Sequence, residues 1–313
     1  MIPLLSVCCT TYNHEPYLRK ALDGIFNQKT NFDFEIIVGE DCSTDGSRKI
    51  LQEYEEKHPN RMQVLYREKN FGAKMNFRDV FSRAYGKYVI VLETDDYWTD
   101  EYKLQKQVDF LESHPDVIAV SHQCVMVDAN GDQLPMEYPS IKGGYFTAKD
   151  IRKGLFPGQT TTVMYRNYHN YPLINTTLIY SDIKGPGDKR KNFSLLGHGK
   201  IYCMPEKMSA YRFVTSGGNS FSANHKADYH LTMLYYHEWQ AYAHKNFTDK
   251  EILYTADYLA LHTTVSAFLH KKAKLADVFQ VLKKSNRKCR ALLLVISKYI
   301  VRPFQLIKKA ISK

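Results

Sequence analysis

The chain has 313 residues, 44% hydrophobic and 24% charged, enough for one large α/β domain with an appended unit and too apolar for a disordered chain. Its formal charge of +10 would suit a nucleic-acid binder, but 13 Lys and Arg against the single acid Asp277 lie between Lys271 and Lys313. The rest carries 30 basic and 32 acidic residues, which excludes a strongly basic body and confines the charge to a C-terminal segment.

The opening MIPLLSVCC lacks a basic n-region and runs into a first strand, Leu4–Thr10, so no signal peptide is expected. Over the first 130 residues short β-branched runs alternate with helical patterns, which predicts a parallel sheet wound with helices. Further strands are predicted at Phe34–Glu40, Met62–Tyr66, Tyr88–Glu93 and Val117–Asp128. Helices are predicted at Tyr17–Gln28, starting near Pro16; Ser47–Lys57, capped by Thr44 or Asp45; Lys74–Ala84, closed by Gly86; and Tyr102–His114.

After the hairpin signal Asn130-Gly131 the chain reads as loops and short elements to about Gly158. A strand at Thr161–Tyr165, a Gly/Pro/Lys-rich loop at Lys184–Lys191 and a returning strand within Lys200–Arg212 follow. From about Asp228 the pattern is helical. One apolar stripe runs through Leu275, Val278, Phe279 and Leu282, and a second through Leu293, Ile296, Ile300, Phe304, Ile307 and Ile311, interrupted by Pro303. No apolar run approaches the roughly 20 residues that cross a bilayer. The six cysteines, Cys8, Cys9, Cys42, Cys124, Cys203 and Cys289, form neither a CxxC pair nor a dense framework, which predicts free thiols.

Ligands of wound parallel sheets lie beyond the carboxyl ends of the strands. Three polar clusters fall there: Thr10-Thr11-Tyr12-Asn13-His14, Glu40-Asp41-Cys42-Ser43 and Thr94-Asp95-Asp96. A divalent cation on a diphosphate needs one or two carboxylates on a rigid strand end, and Asp95-Asp96 supplies them. The same pair would suit a helix cap, but Trp98, Asp100 and the companion clusters favour a site. Asp41 suits a base N3–H or a ribose hydroxyl, while Asp45 suits a cap on the next helix. Tyr12 offers an aromatic face for a base or, equally, for packing. Among 12 histidines only His198, in the Gly197–Gly199 turn, merits a test, and a structural role suits it better.

In order and at the usual distances these clusters resemble the family 2 glycosyltransferases, inverting enzymes of the glycosyltransferase A-type fold. The resemblance covers Pro3–Asn13, Gln28, Glu35–Ser47, Asn70-Phe71-Gly72 with Asn76, and Tyr88–Trp98. It implies a doubly wound, mostly parallel α/β sheet of the nucleotide-diphospho-sugar transferase type with a helical C-terminal extension. The implied nucleotide contacts are Thr10, Tyr12, Asn13, Asp41, Lys74 and Asp95, with uracil the usual base. Asp96, with Asp95, would ligate Mg²⁺ or Mn²⁺. Glu40 and Glu93 stand where the family usually has Asp, and Cys42 where Gly is common.

The second half matches more loosely, through Gly187-Asp188, Leu195-Leu196, Gly199-Lys200-Ile201 and Met208–Arg212. There the resemblance implies Asp188 as catalytic base, although Lys189-Arg190-Lys191 follow it and a plain turn residue after Gly-Pro-Gly is the alternative. The expected division is a nucleotide-sugar-binding subdomain at 1–130, an acceptor-side subdomain at 131–227 that completes the sheet, and a basic helical extension at 228–313.

The implied activity is metal-assisted, inverting transfer of one sugar, of hexosyltransferase type, from a nucleoside diphosphate, with uridine the usual nucleoside, to a hydroxyl of a glycan or lipid-linked acceptor, as in surface polysaccharide biosynthesis. A pyrophosphorylase would need a Gly-rich loop after the first strand, and Thr10–His14 contains no glycine. A non-catalytic or nucleic-acid-binding protein would act through the basic segment, yet its charges alternate with Leu, Ile and Val at helical spacing; no nucleic-acid partner is expected. The expected location is cytoplasmic, with peripheral attachment to an anionic membrane face weighed against helices packed on the body with a solvated basic side.

Overall fold

The computed structural model describes residues 3–168, 175–183, 185–214 and 228–285. In chain order the elements are β1 (Leu5–Thr11), α1 (Glu15–Phe26), β2 (Phe34–Glu40), α2 (Ser47–Lys57), β3 (Met62–Tyr66), α3 (Ala73–Ser82), β4 (Tyr88–Glu93), β5 (Tyr97–Trp98), α4 (Lys103–Ser113) and β6 (Val117–Val127). Then come β7 (Gly144–Phe146), α5 (Ala148–Arg152), β8 (Met164–Arg166), α6 (Gly187–Leu196), β9 (Lys200–Arg212), α7 (Tyr229–Asn246), α8 (Lys250–Leu269) and α9 (Leu275–Lys284).

Two compact units result: Met1–Phe146 with Leu155–Ile174 and His198–His225, and Thr147–Gly154 with Asn175–Gly197 and Lys226–Lys313. They cut the chain differently from the expected 1–130, 131–227 and 228–313. The strands that follow residue 130 pair into the same sheet as β1, whereas 147–154 and 175–197 fall with the C-terminal helices.

The first unit is built on a sheet ordered β3-β2-β1-β4-β8-β6-β9-β5, with β7 paired to β9. β3, β2, β1 and β4 run parallel, as do β6 and β9, while β8 is antiparallel to both its neighbours. Leu5, Val7, Ile36, Val38, Ile90 and Leu92 bury against Leu18, Leu22 and Ile25 of α1 and Leu104 and Val108 of α4. Each such burial is worth about 1.5–3 kcal/mol, which fixes the strand register and so the height at which the loops leave the sheet.

The segment expected as strand Thr161–Tyr165 begins instead as a 3₁₀ turn at Thr160–Thr162, and the strand starts at Met164. Gln159 is the reason: its Oε1 accepts from the Thr161 N–H at 2.8 Å and from the Thr161 hydroxyl at 2.6 Å, bending the chain before it can pair.

In the second unit, Phe193, Trp239, Tyr254 and Ala260 form the centre of a buried cluster. The loop expected over Lys184–Lys191 is largely helix α6, which starts after Pro186 and carries Asp188 in its first turn. Proline's fixed φ and an acid facing the positive helix end favour nucleation there. The stripe at 275–282 is only partly inward: Val278 and Leu282 pack against the cluster and Val281 is buried, while Leu275 and Phe279 remain 53% and 62% exposed. A buried meridian through 278, 281 and 282 leaves 275 and 279 on its flank. The second stripe, Pro303 and Cys289 lie outside the described residues. No described helix is long and apolar enough to cross a membrane, and the five described cysteines are free thiols.

Candidate active site

The carboxyl ends of β1, β2 and β4 bring three loops together because these strands are hydrogen-bonded neighbours with Thr10 opposite both Gly39 and Glu93. The first two loops are tied by backbone and side-chain hydrogen bonds. Asn13, at φ +54°, accepts from the Thr44 N–H through Oδ1 at 2.8 Å, and its own N–H donates to Ser43 Oγ at 3.0 Å. Asp45 accepts from the N–H groups of Glu15 and Ser47, both at 3.0 Å, so it serves the start of α2 as its position suggests.

Glu40 and Asp41 are both buried and both hold backbone. Glu40 accepts from Ser43 N–H at 2.6 Å and from two guanidinium nitrogens of Arg48 at 2.9 and 2.7 Å. Asp41 Oδ1 accepts from the Phe71 N–H at 2.6 Å and Oδ2 from the Gly72 N–H at 2.9 Å. Asp41 therefore fixes the Asn70-Phe71-Gly72 loop, where Gly72 takes φ +79°, a conformation that favours glycine. Asn76 donates to the Gly39 carbonyl at 2.8 Å and locks α3 to the end of β2. Lys74 stands exposed on the first turn of α3.

Thr94 joins the first and third loops. Its hydroxyl donates to the Thr10 carbonyl at 3.1 Å and lies 2.8 Å from Thr11 Oγ1 and 2.9 Å from His14 Nδ1. The one hydroxyl proton serves a single contact of the three, so Thr11 and the His14 tautomer set the donors of the others. Burial lowers the His14 pKa, with the charges of Asp95 and Asp45 opposing it.

The two adjacent carboxylates differ sharply. Asp95 is half-buried and Asp96 only 1% exposed. Asp96 Oδ1 accepts from the Arg212 N–H at 2.8 Å and Oδ2 from Gln159 Nε2 at 2.9 Å. Burial, then the charges of Asp95 and Glu93, push the Asp96 pKa well above the usual carboxylate range. The Arg212 guanidinium donates to the carbonyls of Asp95, Asp128 and Ala129 at 3.0, 2.7 and 2.7 Å and lies 4.2 Å from the Tyr17 ring centre. Arg212 and Gln159 thus frame the Asp95-Asp96 turn, and neither was singled out as a site residue from sequence. A buried acid needs donors, and the end of the strand predicted to return at Lys200–Arg212 was the place to look for one.

Trp98 is a core residue: its indole donates to the Thr161 carbonyl at 3.1 Å and the buried Lys103 ammonium sits 4.2 Å over its ring. His198 is partly buried, and burial lowers its pKa. Asp188 lies in the second unit, half-buried on the first turn of α6, where its charge raises the pKa values of Tyr235 and Tyr236 behind the larger effect of burial. Arg190 follows two residues later on the same helix. Its buried guanidinium turns to the carbonyls of Ser181 and Ile183 and to Glu238, 3.5 Å away.

The profile of glycosyl transferase family 2 matches residues 6–170, more than half of the chain and the whole of the three-loop site. The chain belongs to glycosyl transferase family 2. An uncharacterised protein of Mycobacterium tuberculosis is 34% identical over 208 residues, 66% of this chain and 58% of that protein, so this family 2 chain spans a little over half of that relative's length. TuaG of Bacillus subtilis, a putative teichuronic acid biosynthesis glycosyltransferase, is 31% identical over 223 residues, covering 71% of this chain and 82% of TuaG. Residues 1–349 of TarS from S. aureus, solved with UDP-GlcNAc, superpose with a TM-score of 0.66 at 20% identity, over 94% of this chain and 84% of that one, a likeness of fold. The family 2 match takes in Asp41, Asp95, Asp96 and Gln159 but ends before Asp188 and Arg212.

Proposed function

We propose that this family 2 chain transfers one sugar, with inversion, from a uridine diphosphate sugar to a hydroxyl of a glycan or lipid-linked acceptor in surface polysaccharide biosynthesis. The observation that carries it is the Asp95-Asp96 turn, framed by Arg212 and Gln159 beside the loops of Thr10–His14 and Glu40–Asp41. Thr10, Tyr12, Asn13 and Asp41 would bound the base and ribose, with Lys74 exposed near the rim on α3. The polysaccharide setting is that of TuaG's name, and the uridine nucleotide that of the TarS complex.

Among the described residues no three His, Cys, Asp or Glu side chains converge on a metal position. Asp95 and Asp96 are therefore the carboxylates proposed for it, with diphosphate oxygens and water as further ligands. That donor set fits Mg²⁺ or Mn²⁺, which bind through one or two carboxylates plus substrate phosphates. The cation would stabilise charge on the departing diphosphate. Asp188 would accept the proton of the acceptor hydroxyl as that oxygen bonds to the anomeric carbon and the sugar–phosphate bond breaks.

Thermal unfolding with uridine diphosphate, with and without Mn²⁺, tests this. Bound nucleotide stabilises by mass action, about 2.7 kcal/mol at a concentration 100-fold above Kd, and the shift should require the metal. Equal shifts with and without Mn²⁺ would remove the metal from the proposal; no shift with any nucleoside diphosphate would remove the donor.

We also propose peripheral attachment to the cytoplasmic membrane face. Phe268, Leu269, Leu275 and Phe279 are exposed among the described residues, beside Lys271, Lys272 and Lys274. Near an anionic surface each lysine contributes about 1 kcal/mol. Since Val281 is buried in the second unit's cluster, cutting the chain before α9 would open that core; substituting Leu275 and Phe279 by Ser is the cleaner change. Flotation with anionic liposomes should fall in the double variant, and unchanged flotation would refute this face.

A further inference from the structure

Asp188 is the second residue of α6, so the path by which the chain enters that helix sets where its carboxylate stands. The helix's own ladder holds this entry weakly, because the Arg190 N–H reaches the Pro186 carbonyl only at 3.5 Å. A residue of another helix takes the same oxygen more closely. Tyr235 of α7, 2% exposed, donates its hydroxyl to the Pro186 carbonyl at 2.7 Å.

The ring of Tyr235 fixes the entry a second time. A Cβ placed on Gly185 would lie 2.3 and 2.5 Å from two of its carbons, closer than real contacts allow, whereas a Cβ on Gly187 would meet nothing within 4 Å. The chain at 185 lies against the ring only because glycine has no side chain. The Arg190 guanidinium, 4.6 Å from the ring centre, is itself held by the Ser181 and Ile183 carbonyls and by Glu238, 3.5 Å from Nε. One side chain of α7 therefore touches Gly185, Pro186 and Arg190, on both sides of Asp188 in the chain. Burial, then neighbouring Tyr236 and Asp188, push the Tyr235 pKa well above its usual value, so the hydroxyl keeps the proton that it donates.

We propose that Tyr235 is a positioning residue for the transfer reaction: its hydroxyl on Pro186 and its ring against Gly185 set the first turn of α6 and, with it, the Asp188 carboxylate. The inference rests on the reading of Asp188 as the base. Proton transfer needs the carboxylate within hydrogen-bond reach of the attacking hydroxyl, and a displacement of about 1 Å can cost 10²-fold in rate. Tyr235 acts through Asp188 and takes no proton itself.

Tyr235→Phe keeps the ring against Gly185 and Arg190 and removes only the hydroxyl. Tyr242→Phe is its control. The Tyr242 hydroxyl, also on α7 and buried, donates to the Asn175 carbonyl at 2.5 Å and lies 2.9 Å from Ser194 Oγ, near the far end of α6. Each variant loses one buried tyrosine bond to a backbone carbonyl, so both should show a similar small fall in melting temperature. Turnover is read as release of uridine diphosphate from UDP-glucose and UDP-N-acetylglucosamine with water as acceptor. The water oxygen then bonds to the anomeric carbon, the sugar–phosphate bond breaks, and Asp188 takes the water proton.

Tyr235→Phe should lower kcat about tenfold with KM unchanged, and Tyr242→Phe should keep the rate. Hydrogen exchange of the peptide spanning 185–191 reads the same entry without turnover, and decides alone if neither sugar nucleotide is consumed. It should quicken in Tyr235→Phe and not in Tyr242→Phe. Equal falls in kcat in the two variants, or unchanged exchange in Tyr235→Phe, would overturn the proposal. Full turnover in Tyr235→Phe beside a slow Asp188→Asn would overturn it and leave the base in place. Full turnover in Asp188→Asn would instead remove Asp188 as the base, and the role of Tyr235 with it.

Discussion

Asp188→Asn should lower sugar transfer by about 10²–10⁴-fold, the worth of a positioned general base, and leave uridine diphosphate affinity unchanged. The substitution keeps the shape of the side chain and removes its basicity. Asp188 is half-buried on the first turn of α6, beside Tyr235 and Tyr236, so it is held by a helix and not by a turn. The loss of its charge at the helix start should cost only about 0.3–1 kcal/mol of stability. A large fall in rate with a small fall in melting temperature therefore separates proton transfer from folding. Steady-state rates with a uridine diphosphate sugar and acceptor, alongside nucleotide titration, make the measurement. Full activity in Asp188→Asn would move the search to Asp182 or Glu206.

The second large effect is expected at the adjacent acids, and there the two should part. Asp96→Ala leaves the Arg212 N–H and the Gln159 amide without their acceptor in a buried place, at about 1–3 kcal/mol for each orphaned donor. Relief of the repulsion from Asp95 and Glu93 offsets part of this. A net loss of about 2 kcal/mol is expected, a fall of some 4–8 °C in melting temperature at this size. Asp95→Ala removes a half-buried carboxylate and should leave the melting temperature nearly unaltered. Both variants should lose the Mn²⁺-dependent stabilisation by uridine diphosphate, because each removes one of the two carboxylates proposed to hold the cation. If Asp96→Ala melts like the unaltered chain, its buried hydrogen bonds are not as described; if Asp95→Ala keeps the full Mn²⁺ response, Asp95 is not a ligand.

Much of the first unit was legible in the sequence because it is written in local pattern. β2, β3 and β4 begin and end where their apolar runs do, and β1 and β6 within one residue of the expected ends. A strand buried on both faces has to be a continuous apolar run, and polar loop residues have to follow it. The three polar clusters could therefore be assigned to one sheet edge, and the order of family-like motifs along the chain led to the family that the profile match shows.

Tertiary structure alone decided what each acid does. Glu40, Asp41 and Asp96 look alike in sequence, each at a strand end among polar neighbours. In the fold Glu40 holds Arg48, Asp41 holds the N–H groups of Phe71 and Gly72, and Asp96 holds the N–H of Arg212, 116 residues further along the chain. The packing of α6 with its buried Arg190 and the assignment of 175–197 to the helical unit were likewise invisible. Strand and helix propensities act over a few residues, whereas a buried carboxylate takes whichever donors chain closure brings to it. Those donors are set by sheet order and loop length, which no local window of the sequence contains.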